Sequence, residues 1–202
     1  MPEASPHAPL IVVSGPSGVG KTTLVDALLA RKSLPLRRAI TATTRPKRPG
    51  ESEEVSYHFW THDRFRKAIA HGDMLEFAEV HGRDFYGTPR SEIDSYRERG
   101  VGVVLVIDVQ GAGQIRAAYP DDHLSVFVFP PTFDDLERRL RGRGEADESI
   151  QRRLHTAHQE LARKDEFDFA LENGDFDSAT AALERVIQDE FQRRGFPLCS
   201  TT

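Results

Sequence analysis

The stretch GPSGVGKTT, Gly15 to Thr23, follows directly on the apolar run Leu10-Ile11-Val12-Val13 and leaves the chain few folds to choose from. It satisfies the spacing G-x-x-x-x-G-K-[ST], in which glycines let the backbone curl until its N–H groups converge on phosphate oxygens. Lys21 is placed to reach the β- and γ-phosphates, and the Thr22 hydroxyl to ligate Mg²⁺. At average residue usage, a chance match in a chain of 202 residues has a probability of roughly one in a hundred. The motif also needs a buried strand before it and a helix after it. Leu10 to Ser14 supplies the first, and Lys21 to Arg31, with Leu24, Val25, Leu28 and Leu29 at helical spacing, supplies the second.

Residues 36–42 read as a second strand. Val101 to Ile107 is apolar throughout, which implies burial on both faces and a parallel sheet. His123 to Phe129 reads as a further strand, Thr132 as the cap of a helix, Ile150 to Phe167 as a long helix, Phe169 to Leu171 as a short strand and Ser178 to Arg194 as the final helix. The region 41–88 differs: Pro46, Pro49, Gly50, Gly72, Gly82 and Gly87 cut it into short pieces. It reads as a small mixed α/β insertion with a helix near Asp63 to His71 and strands near Met74 to Val80 and Arg83 to Tyr86. Thr88 is expected to cap the helix that follows, with Pro89 in its first turn and Gly100 as its stop. The fold class is therefore a three-layer α/β domain of the P-loop NTPase type with a parallel central sheet.

Composition narrows the partners. A net charge of −5 argues against a nucleic-acid binder, whose affinity rests on phosphate neutralisation. The longest apolar run falls far short of the roughly 20 residues of a membrane span. The opening MPEASPHAP reads as a loose tail rather than a leader. Cys199 is the one cysteine, which fits a reducing, cytoplasmic setting. None of the eight histidines falls in a zinc-binding spacing, so they are taken as surface or packing residues. Yet arginines cluster at Arg45 to Arg48 and at Arg138 to Arg143, which suggests a small anionic ligand. Asp108 ends the buried strand, where a carboxylate can face the crevice, bind Mg²⁺ through water, or simply cap a helix. No Asn-Lys-x-Asp segment marks a guanine-reading switch, and the chain is small for a motor. A small-molecule kinase remains, its insertion binding the acceptor and its late arginine segment serving as a lid.

The segments GPSGVGKTT, TTRPKRPGE, VSYHF, MLEFAEVHGRDFYGT, IDVQGA and RRLRGRG…SIQRRL occur in the order and spacing of guanylate kinases, and the chain resembles that family from about Leu10 to Arg194. The resemblance implies ATP-dependent, Mg²⁺-dependent phosphorylation of GMP, and of dGMP as well, to the diphosphate. It implies a core of residues 10–40 and 89–194, a GMP-binding region of 41–88 and a lid of 138–156, with tails of 1–9 and 195–202. On this basis Gly15, Pro16, Ser17, Gly18, Val19, Gly20, Lys21, Thr22, Thr23 and Asn173 bind ATP. Thr41, Arg45, Arg48, Tyr57, Glu76, Tyr86, Gly87, Thr88 and Asp108 bind GMP, and Thr22 and Asp108 hold Mg²⁺. Lys21, Arg45, Arg139, Arg143 and Arg153 carry the transfer. Glu76 is the expected guanine reader, because one carboxylate can accept both N1–H and N2–H₂ of that base. Two departures stand out: Val106 occupies a position that is acidic in many relatives, and Gly174 replaces a frequent acidic neighbour of Asn173. The rival readings are a peptide-binding scaffold with a guanylate-kinase-like fold and a kinase of phosphorylated sugars. Monomer and homodimer both remain open.

Overall fold

The computed structural model describes residues 7–48, 50–80, 82–142 and 147–198. Leu10–Ser14 forms β1 and Lys21–Arg31 forms α1, with the phosphate-loop sequence between them. Leu36–Arg38 (β2), Gly102–Val106 (β7), Leu124–Phe129 (β8) and Phe169–Glu172 (β9) complete a central sheet, taking Ala42–Thr43 (β3), His58–Phe59 (β4), Met74–Val80 (β5) and Asp84–Pro89 (β6) as a second one. The central order is β2-β7-β1-β8-β9, with every neighbouring pair parallel. After β1 the chain goes to one side of the sheet for β2 and later to the other for β8. A crevice therefore opens beyond the carboxyl end of β1, where the phosphate-loop sequence begins.

Alternation along β1 explains the layers. Ile11 and Val13 face a core built with Leu24, Leu28, Leu136, Leu154, Ile187 and Phe191. Leu10 and Val12 face the opposite core, with Val103, Leu105, Ile93 and Ile115. The first core is supplied by α1, Phe133–Arg141 (α5), Asp147–Leu161 (α6) and Phe176–Arg193 (α7), the second partly by Asp94–Arg97 (α3) and Val109–Ala118 (α4). Each fully buried Leu, Ile or Phe in them stabilises the fold by about 1.5–3 kcal/mol.

The second sheet runs β4-β3-β6-β5, parallel between β3 and β4 and antiparallel elsewhere. His62–His71 (α2), capped by Thr61 and closed by a left-handed Gly72, lies on it through Phe65 and Ala68, which meet Trp60, Met74 and Phe85.

Three sequence expectations need correction. The strand expected over 36–42 is two strands in two sheets, because Ala39 still donates to Val104 O of the central sheet while His58 donates to Thr41 O of the small one. Thr88 caps no helix. It sits inside β6, opposite Glu76, and only a one-turn 3-10 segment, Arg90–Glu92, and the short α3 follow before the left-handed Gly100. The helix expected to reach Phe167 stops at Leu161, and Lys164–Glu166 form a separate 3-10 turn.

Candidate active site

Helix α1 begins differently from α2, α4, α5 and α7. Thr61, Asp108, Thr132 and Asp175 each place a side-chain oxygen on the first-turn amides of α2, α4, α5 and α7. The N-cap of α1 is Gly20, left-handed at φ 102°, with no side-chain hydrogen bond. Its first-turn N–H groups and the positive end of its dipole therefore point at the crevice without a capping oxygen, the arrangement that favours an anion. The preceding turn is tight. A side chain at Gly15 would overlap the carbonyl of Val128, and one at Gly18 would meet Leu140 Cδ2 at 2.7 Å. Lys21 Nζ folds back onto Gly15 O and Pro16 O, 2.6 and 3.0 Å away.

Two distant residues brace the loop. Asn173 Nδ2 donates to Val19 O at 2.7 Å, and Arg139 donates to Val19 O and Asn173 O at 3.1 and 2.8 Å. Asn173, expected near an adenine, thus spends its amide N–H on the loop itself, and Arg139 is likewise engaged with main chain. Arg153, half-buried, lines a cavity of about 790 Å³ beside Ser17. Arg143 lies outside the described residues. Arg138 and Arg141 are exposed and paired with Asp135, Glu137 and Asp147.

A second cavity, about 260 Å³, opens between the small sheet and the carboxyl end of β7. Thr41, Tyr57, Glu76, Tyr86, Gly87 and Asp108 all line it. Glu76 is only 6% exposed, and Thr88 Oγ1 donates to its Oε1 at 2.7 Å. Burial pushes this carboxyl up to about 7, with the Asp108 charge adding to the shift and the Thr88 hydroxyl opposing it. Asp108 spends one oxygen on the Gly111 N–H at 2.8 Å and is at once a helix cap and a wall of the cavity. Tyr57, Thr41 and Val106 also line a further cavity of about 320 Å³ that reaches Thr22, so the space beside Glu76 adjoins the start of α1.

Arg45, 8% exposed, is held by a bidentate pair with Glu51 at 2.9 and 2.8 Å and donates from Nε to the Tyr86 hydroxyl at 3.1 Å. The Arg45 hydrogen bonds, helped by the Arg48 N–H, bring the Glu51 carboxyl down to about 2. The guanidinium is thereby fixed over the edge of the cavity, 5.4 Å from the Tyr57 ring. The Arg48 side chain is exposed, and its backbone N–H donates to Glu51 Oε2 at 2.7 Å.

The family model described as guanylate kinase matches residues 7–190. The chain belongs to the guanylate kinase family. It is 47% identical over 179 residues to the guanylate kinase of Nostoc sp. (88% of each chain) and 46% identical over 198 residues to that of Thiobacillus denitrificans (96% of this chain, 92% of the relative). The crystal structure of guanylate kinase from Anaplasma phagocytophilum superposes with a TM-score of 0.74 at 28% identity, covering 91% of this chain and 86% of that one.

Within this guanylate kinase fold, several residues matter that the motifs did not single out. Gln114, in the second turn of α4, exchanges hydrogen bonds with Phe77 N and O (3.1 and 2.9 Å) and so docks β5 on the helix that Asp108 caps. Gly111, between them, leaves room for Glu76: a Cβ there would lie 3.0 Å from Glu76 Oε2. The repeat Asp108, Gly111, Gln114 in DVQGAGQ is a spacing of three that places all three on one helix face, a signal present in the sequence. Glu51 closes the quoted segment TTRPKRPGE, but nothing in its spacing marks it as the partner of Arg45. Among the described residues no group of three or more His, Cys, Asp or Glu could hold a metal ion, and no helix is long and apolar enough to cross a membrane.

Proposed function

We propose that this protein transfers the γ-phosphoryl group of ATP to GMP, and to dGMP, giving ADP and the guanine nucleoside diphosphate. The observation that carries the reading is Glu76: a buried carboxylate facing a nucleotide-sized cavity that adjoins an uncapped helix start behind a phosphate-loop sequence. Guanine offers two donors on one edge to that carboxylate. Adenine offers an acceptor at the matching ring nitrogen and would leave the carboxylate desolvated and unpaired. Arg45, with Tyr57 and Tyr86, is placed for the GMP phosphate, since a guanidinium locked by Glu51 has already lost its rotamer freedom. Arg48, Thr41, Gly87 and Thr88 complete this side.

The loop from Gly15 to Thr23 takes the triphosphate of ATP, with Lys21 on the outer phosphates. The acceptor oxygen of GMP is ionised at neutral pH, so alignment and charge neutralisation are what the protein has to supply, and no general base is needed. Arg139, Arg143 and Arg153 are assigned to the transferring group. Thr22 and Asp108 fit Mg²⁺, which keeps most of its ligands as water and phosphate oxygens and needs no dedicated cage of carboxylates. When bound, that ion neutralises the charge of the β- and γ-phosphate oxygens. The lid of residues 138–156 closes over the transfer and keeps water from the phosphoryl group.

A coupled assay with ATP and a panel of GMP, dGMP, AMP, CMP and UMP tests the reading. GMP and dGMP are expected to be turned over, with the other bases disfavoured by about 10⁴-fold. Comparable turnover of AMP would remove it.

A further inference from the structure

The small sheet is inserted between β2 and β7, so the backbone crosses between the sheets once before β3 and once after β6. Glu92, in the 3-10 segment of the second crossing, is bonded to the first crossing and to both sheets. Its Oε2 accepts from Arg37 Nη2 of β2 at 2.8 Å and from the Ile40 N–H of the first crossing at 3.2 Å. Its main-chain oxygen accepts from Arg37 Nη1 at 2.8 Å. Its Oε1 lies 3.0 Å from His58 Nε2 of β4, and because an ionised carboxylate only accepts, that nitrogen carries the hydrogen. The Arg37 guanidinium also lies over the Tyr96 ring of α3, 3.8 Å from its centroid. The three side chains are 14% to 21% exposed, and at that depth a charge that loses a partner is left poorly solvated. In the small sheet β4 is one edge and β5 the other. Gln114 docks the β5 edge on α4, and Glu92 ties the β4 edge to the central sheet through His58. Two anchors on opposite edges fix how that sheet tilts over the crevice. The neighbours of His58 on β4 are Tyr57 and Phe59, whose rings lie 5.4 and 5.8 Å from the Arg45 guanidinium.

We propose that Glu92 is a positioning residue: by pinning the β4 edge of the small sheet to the central sheet, it sets where Tyr57 and Arg45 meet the phosphate of GMP. This rests on the phosphotransfer reading given above. Glu92 lines neither the cavity beside Ser17 nor the one beside Glu76, and it acts through His58 and Arg37. Recognition of the base, which falls to Glu76 near the opposite edge, does not depend on it. The sequence hides this role, because Glu92 is one charge among several in RSEIDSYRER.

Three variants test the tie. Glu92→Ala removes it and should lower kcat about 10²-fold, the scale of a misplacement of about 1 Å. KM for GMP should rise about tenfold, KM for ATP should stay within a factor of about two, and the preference for GMP over AMP should be that of the parent. Glu92→Gln keeps the reach: its oxygen accepts from Arg37 and Ile40, and its amide donates to His58 in the tautomer whose Nε2 is an acceptor. It should stay within about fivefold of the parent, because alignment depends on that reach. His58→Ala cuts only the β4 arm; it should reproduce most of the Glu92→Ala loss and add little to it in the double variant. Residual dipolar couplings, measured by NMR on the nucleotide-free protein, report how the small sheet is oriented on the central one. They should change for β3 to β6 in both Ala variants and match the parent in the Gln variant. The couplings need no substrate, so they separate failure of this inference from failure of the phosphotransfer reading. Unaltered couplings in the Ala variants, equal rises in KM for ATP and GMP, or full activity of His58→Ala would overturn the proposal. If Glu92→Ala does not fold, His58→Ala and Glu92→Gln decide.

Discussion

Glu76 lies in its cavity with Thr88 as a fixed hydrogen-bond donor and with its protonation displaced from 4.5 to about 7, chiefly by burial. Between those values the folded protein holds a proton that the unfolded chain releases. The shift therefore works against the fold: stability falls as pH rises through that window, by about 3 kcal/mol once the group is ionised. A base that brings two donors repays the ionised form, so GMP binding should expel a proton near neutrality. GMP affinity is expected to weaken by up to about tenfold for each pH unit below 7, and calorimetry in buffers of different ionisation heat should detect the released proton. Glu76→Gln should abolish that dependence and lower kcat/KM for GMP by about 10³-fold or more, leaving ADP affinity within a factor of about two. A Gln variant that keeps the parent's pH profile would show that the proton belongs to another group.

At the level of elements, the cavity beside Glu76 depends on how α4 holds β5. Gln114→Ala removes both hydrogen bonds to Phe77 and should raise KM for GMP about tenfold, with KM for ATP unmoved and a stability loss of about 1–2 kcal/mol in a urea titration. Equal rises in both KM values would mean that the docking is not local. The same scale shows what the sequence can and cannot reveal. The three inner strands of the central sheet, β1, β7 and β8, are legible because they are largely apolar runs bounded by breakers, and their burial on both faces follows from that pattern, whereas the edge strands β2 (LRR) and β9 (FALE) are more exposed and carry no such run. Thr88 was misread because TPRSE carries every local mark of a helix start. The pairing of β6 with β5, which overrides those marks, places Thr88 opposite a residue twelve positions earlier. The break at Ala39–Thr41 was invisible for a similar reason: the two halves of one strand-like run are claimed by two different sheets. Of the site, the loop could be read from its spacing alone. Arg45 stands out in the basic cluster Arg45 to Arg48, whereas Glu76 and Tyr57, which the structure brings to one cavity, have no pattern of their own and are singled out only through the resemblance. The Arg45–Glu51 lock is an encounter of side chains that spacing alone does not record.

On the scale of the whole molecule, two sheets are joined by short connections at Ala39–Thr41 and at Arg90–Ile93. Glu92 spans that junction, accepting from Arg37 Nη2 at 2.8 Å and the Ile40 N–H at 3.2 Å, with His58 Nε2 at 3.0 Å. Burial raises the Glu92 carboxyl, but these contacts more than offset it and leave the group below its ordinary value. Trp60 lies on the far side, in the core of the small sheet, and is the one tryptophan of the chain. Closure of the lid and the small sheet over both nucleotides should therefore change Trp60 emission and reduce the radius of gyration in X-ray scattering when GMP and a non-hydrolysable ATP analogue are added together. Either ligand alone should give less than the pair, and no change with both would exclude closure. Finally, Val19 of the phosphate loop is gripped by Asn173, and α1 packs on α7, so one segment of the chain is completed by another synthesised 154 residues later. During translation the loop sequence leaves the ribosome long before its brace exists. A nascent chain should stay unable to grip a triphosphate until β9 has emerged and docked, which keeps unfinished molecules from binding ATP before there is a pocket for its acceptor to share.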